Sequence, residues 1–108
     1  MRVCVILGAA SLMLAACNPL DLADQASERA ARGVVLPVLS QEMPAPVAQA
    51  GTDCIIAATS RAEMLILARD LGVAAGPQTI ANIRNIAARP DVVACFAAAA
   101  VPPLRGAK

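Results

Sequence analysis

The residues able to do chemistry in this chain are few. There are four cysteines, Cys4, Cys17, Cys54 and Cys95, and no histidine. Without His, the side chain that most often serves as acid, base or metal ligand near neutral pH is missing. A thioredoxin-like redox pair needs two cysteines two residues apart, and no two stand so close. Cys54 and Cys95 are flanked by Ile55, Ile56 and Phe96 and by no cation, a setting that keeps a thiol inert. Two such cysteines without His do not complete a four-ligand zinc site. The carboxylates of the second half, Asp53, Glu63, Asp70 and Asp91, fall at or near expected helix ends, where capping and dipole effects account for most of them. Asp70, at a C-terminal end beside Arg69, reads as solvated. Asp53 and Glu63 would have to converge for two-carboxylate hydrolysis. Ser60 reads as a helix cap, since it has no His base and no Gly-x-Ser-x-Gly elbow around it. Phosphate loops and dinucleotide fingerprints are absent. Arg61, Arg84 and Arg89 read as a solvated helix face before an anion-binding patch. The expectation is no catalytic site, no metal and no cofactor.

Cys17 stands apart from the other cysteines. The chain begins MRVCVILGAASLMLAAC, with one cation at Arg2, an apolar run from Val3 to Leu14, and small residues at Ala15 and Ala16. This layout is that of a secretory signal, and the run falls short of the 17–25 residues or so that a membrane-spanning helix needs. Leu14-Ala15-Ala16-Cys17 resembles the lipobox of bacterial lipoproteins. The resemblance covers this N-terminal stretch alone. It implies cleavage between Ala16 and Cys17, a thioether-linked diacylglycerol on the Cys17 thiol, and a further fatty acyl (palmitate-type) group on the new amine. Two or more acyl chains hold a protein on a membrane where one does not. Asn18 stands at the position where Asp would signal inner-membrane retention, so the expected location is the outer membrane, facing the periplasm. Cys4 lies in the discarded segment.

Beyond Cys17 the composition favours helices. Apolar residues make up 58% of the chain with one Phe and no Trp or Tyr; that Ala-rich content forms helices readily but makes a shallow core. The hydrophobicity is too high for a disordered chain. Removing residues 1–16 takes Arg2 away and leaves eight basic against eight acidic side chains, so there is no long-range attraction for nucleic acid. DLADQASERAAR predicts a first helix with acids early and Arg29 and Arg32 late. Gly33 and Pro37 predict a break. MPAPVAQAG, residues 43–51, reads as an extended linker that separates a stalk (17–51) from a domain (52–104), with a tail at 105–108.

Within 52–104, Thr52 or Asp53 is expected to cap a short helix through Cys54-Ile55-Ile56. Ser60-Arg61-Ala62-Glu63 matches a capping box. Met64, Leu67, Ala68 and Leu71 then form one apolar face up to Gly72. A third helix is expected from Pro77, with Ile80, Ile83, Ile86 and Ala87 inward and Asn82, Arg84, Asn85 and Arg89 outward. A fourth follows Pro90-Asp91 as an interior helix that ends before Pro102-Pro103, with Val92, Val93 and Phe96 as its large side chains. The fold expected is a small all-α bundle of three to four short helices. About fifty residues make a marginal core, so a covalent staple is expected. In an exported chain with Cys17 lipidated, Cys54 and Cys95 are left to form it, for roughly 4 kcal/mol of loop entropy.

The Thr52–Ile56 and Ala88–Cys95 segments resemble those of small uncharacterised lipoproteins of alphaproteobacterial type, a resemblance that implies no activity. The function expected is a lipid-anchored, non-catalytic envelope module that docks on another envelope protein. The alternative is a small-ligand or lipid carrier, and after it a small periplasmic enzyme. Oligomeric state has no signal in the sequence.

Overall fold

The computed structural model describes residues 19–105. Among them the backbone forms five α-helices and no strand, an all-α bundle as the composition predicts. Cys4, Ala16 and Cys17 lie outside the described residues.

Helix α1 (Pro19–Ser40) runs unbroken across Gly33 and Pro37, where the sequence predicts a break. Pro37 and Gly33, the residue whose carbonyl Pro37 leaves without an N–H partner, are both exposed and away from the core. Val34, Val35 and Leu39, on the opposite face, are buried on both sides of Pro37. Burying three such side chains, at about 1.5–3 kcal/mol each, outweighs the roughly 3 kcal/mol that an interior proline costs.

The expected linker is also helical. Helix α2 (Ala45–Ala57) starts at Pro44, and its prolines occupy the first turn, where a missing N–H costs nothing. Ala48, Gly51 and Thr52 are buried within it. Thr52 is therefore not a cap: its hydroxyl donates to the Ala48 carbonyl at 2.8 Å, one turn back in the same helix. The division into stalk and domain falls with the linker, because Ala31, Val34, Val35, Leu39 and Met43 belong to the same core as Ile55, Leu67, Ile83, Val92 and Phe96.

Three short helices follow. α3 (Arg61–Ala68) opens with the expected capping box: the Glu63 N–H donates to Ser60 Oγ at 3.2 Å, and the Ser60 N–H donates to Glu63 Oε1 at 3.0 Å. It ends three residues before Leu71, and the following turn passes through Gly72 at φ +85°. α4 (Pro77–Ala87) and α5 (Pro90–Ala98) both begin at proline, as predicted. Ile83, Ile86 and Ala87 are buried as expected, whereas Leu71 and Val93 are each 54% exposed and face outward.

Side-chain pairs fix the directions of the helices. Arg32 meets Asp53 and Leu39 lies against Gly51, so α1 and α2 are an antiparallel hairpin. Arg61 meets Asp24 and Leu71 lies against Gly33, so α3 runs parallel along α1. α2 also carries α4 and α5 and is bonded to α5 through Cys54–Cys95, whose Cα atoms are 5.8 Å apart. The last segment folds back over α2. Val101 and Leu104 are buried, and the Arg105 N–H donates to Glu42 Oε2 at 3.2 Å.

Candidate functional site

The polar groups read as candidates in the sequence are spread through the bundle, each tied to a different neighbour. Asp53 pairs with Arg32, and Glu63 pairs with Arg89, so these two carboxylates do not converge. Asp70 is not simply solvated: it accepts a hydrogen bond from Thr79 and ties the end of α3 to the first turn of α4. Arg61, Arg84 and Arg89 form neither a shared anion patch nor a free solvated face. They pair separately with Asp24, Glu42 and Glu63. No three His, Cys, Asp or Glu side chains converge among the described residues, and no described helix is long and apolar enough to cross a membrane.

One of these pairs is a junction of four helix ends. Arg89 precedes Pro90, which holds it in extended backbone at the start of α5. Its Nη1 donates to the Ala58 carbonyl at the end of α2 (2.7 Å) and to Glu63 Oε1 (3.2 Å), while Nη2 donates to Glu63 Oε2. Glu63 is already the capping-box acid of α3. The Arg89 guanidinium first, and the Ser60 backbone N–H second, hold the Glu63 carboxyl down to about 2. A carboxylate that acidic is a poor general base near neutral pH, and the guanidinium is consumed by its partners. The cleft beside it, between α3 and α4, is floored by Ile66, Leu67 and Ile86 and edged by Asn82 and Asn85. Its two charged lining residues are the paired Glu63 and Arg89.

The second feature is apolar. α5 and the returning C-terminal segment enclose an open groove of about 290 Å³, lined by Ala87, Ala88, Val93, Phe96, Ala97 and Leu104. α5 forms one wall because Val92 and Phe96 turn inward while Val93, one position on, turns out. The other wall exists because α5 ends in a left-handed turn. Ala100 has φ +57°, and the Val101 N–H donates back to the Phe96 carbonyl at 2.8 Å, as in a Schellman close. Sequence reading places Val93 in an interior helix that runs on to Val101, whereas the helix ends at Ala98 and Val101 belongs to the returning segment; Leu104 has no assigned place. The signal lay in the turn after α5, which Ala100 does not advertise as Gly would. The groove has no polar anchor among its lining residues, and its volume lies at the lower edge of small-molecule sites.

No family model, no curated protein and no solved structure matches this chain.

Proposed function

We propose that the chain is a lipid-anchored envelope protein whose helical bundle is a non-catalytic docking module. The anchor is the diacylglycerol expected on Cys17, with outer-membrane placement facing the periplasm. The docking site is the apolar groove of α5. One observation supports this best: α2 lies between α1, which starts two residues after Cys17, and α5, which carries the groove. A protein held at the α1 end keeps that groove turned away from its own attachment point. The groove's apolar lining suits a hydrophobic side chain or helix edge of a protein partner, since it offers no polar side chain to orient a small polar substrate.

Two experiments test the reading. Intact mass of the membrane fraction should show loss of residues 1–16 and added lipid on Cys17, and Cys17→Ala should accumulate as uncleaved precursor. An unlipidated chain that keeps residues 1–16 sinks the anchor. A photo-crosslinking residue at Val93 in living cells should give a discrete protein adduct that the same residue at Gln78, exposed on α4, does not. A lipid adduct at Val93 would instead favour the carrier, and no adduct at either position would remove docking through this groove.

A further inference from the structure

A second surface, on α1 and α3, has its own chemistry. Along α1, Leu22, Ala26, Arg29 and Gly33 are all exposed and recur at i, i+4, i+7 and i+11, which places them on one line. α3 and the turn after it flank that line. Arg61 beside Asp24 sets the start of α3 against the second turn of α1, and Leu65 follows Arg61 by one turn. Leu71 lies against Gly33, its Cδ1 2.7 Å from where a Cβ at Gly33 would stand. Val73 borders Gly33 and Pro37. Leu22, Leu65, Leu71 and Val73 are each more than half exposed. Four large apolar side chains thus stand exposed along α1, α3 and the turn that follows α3. Glycine and alanine between them keep the strip low.

The charges on this strip have one sign. Arg29 and Arg69 pair with no carboxylate among the described residues, and Asp24 is neutralised by Arg61. Of the other acids, Glu28 and Asp53 pair with Arg32, Glu42 with Arg84 and Glu63 with Arg89, Asp70 accepts from Thr79, and Asp91 stands in the first turn of α5. An apolar strip with unpaired arginines is the composition of a surface that sits at a lipid headgroup boundary, the apolar side chains inserting and the cations meeting anionic lipid. The position of the chain end agrees. Cys17 is two residues before α1, a reach of at most about 7 Å, and Leu22 is only three residues, or about 4.5 Å of rise, into the helix.

We infer that the α1–α3 face carrying Leu22, Leu65, Leu71, Val73, Arg29 and Arg69 lies on the surface of an anionic bilayer, with α1 in the membrane plane. The orientation rests on the anchor at Cys17; the affinity of the face for lipid does not. One side of α1 packs on the bundle and the other packs on the membrane. The α5 groove is then presented to the periplasm.

The chain contains no Trp and no Tyr, so a single introduced Trp reports without background. The full chain, as the cell makes it, is prepared with Leu65→Trp, Leu71→Trp or, as control, Val93→Trp. Each is mixed with an excess of vesicles of phosphatidylethanolamine and phosphatidylglycerol. Emission from the Leu65→Trp and Leu71→Trp chains should shift to the blue and be quenched by brominated lipid, and should do so less on phosphatidylcholine vesicles. The Val93→Trp chain should show neither effect. Unchanged emission at both 65 and 71 overturns the inference, even if the protein sediments with the vesicles through its anchor. A blue shift without lipid that grows with protein concentration assigns the face to a second copy and also overturns it. If Cys17 proves unmodified while positions 65 and 71 still respond to anionic vesicles, the anchor is lost and the face stands.

Discussion

At the residue scale, Glu63 ties the start of α3 to the junction between α4 and α5. It caps α3 and accepts hydrogen bonds from both Nη atoms of Arg89, which also closes the end of α2. Its carboxyl is held at about 2 in the fold, against 4.5 ordinarily. A depressed carboxyl contributes stability that is fully present above its unfolded value and is lost as pH falls through the folded one. The chain should therefore weaken between about pH 4.5 and pH 2 through this group. Glu63→Gln should cost about 1 kcal/mol at neutral pH, solvent screening the partly exposed pair, and its urea midpoint should fall less steeply across that acid range. Equal acid slopes for the two chains would show that the pair is energetically idle. Ala100 makes the opposite prediction. A non-glycine residue at φ +57° carries a left-handed penalty of about 1 kcal/mol, so Ala100→Gly should raise the thermal midpoint. These roles were half legible: Ser60-x-x-Glu63 is readable because its partners are three residues apart, whereas Arg89 stands 26 residues from Glu63.

At the element scale, two helical glycines meet the same obstacle in different surroundings. A Cβ at Gly51 would stand 2.8 Å from Leu39 Cδ2 and 3.2 Å from Val101 Cγ1, both in the core. A Cβ at Gly33 would stand 2.7 Å from Leu71 Cδ1, on a side chain that is 54% exposed and free to swing away. Alanine gains about 1 kcal/mol of helix propensity at either site, but overpacking a closed core costs about 1–3 kcal/mol. Gly51→Ala should destabilise by about 1 kcal/mol net and Gly33→Ala should stabilise by up to about 1 kcal/mol. Thermal melts of the two variants decide it, and a shared sign would contradict the packing described. The helix starts at Pro77 and Pro90 are plain in the sequence. The start of α2 is not, because MPAPVAQAG fits a helix N-terminus and an extended linker equally well until Ala48 and Gly51 are seen to be buried.

At the scale of the whole molecule, the bundle is one unit closed by a disulfide across 41 positions, Cys54 to Cys95. Loop-closure entropy gives that bond roughly 4 kcal/mol, a large share of what a small Ala-rich core has to spare. Cys54→Ser with Cys95→Ser should lower the thermal midpoint by well over 10 °C, at about 4–8 °C per kcal/mol for a chain of this size, and reductant should do the same to the native protein. A midpoint indifferent to both would mean that the unfolded chain is not constrained by the bond.

What the sequence determined by itself is local. Helical class follows from Ala content and apolar spacing, and the Ser60 cap, the proline starts and the Gly72 turn are fixed by groups within a few residues of one another. The tertiary structure decided everything that depends on burial from outside a segment. It brought α1 into the core across Pro37, made a helix of the expected linker, and turned Leu71 and Val93 outward. A helical period places Leu71 and Leu67 on the same face, but whether that face is covered depends on what packs against it. Here α3 ends at Ala68, so Leu67 is sealed in the core while Leu71, in the turn beyond, rests against Gly33 at the surface.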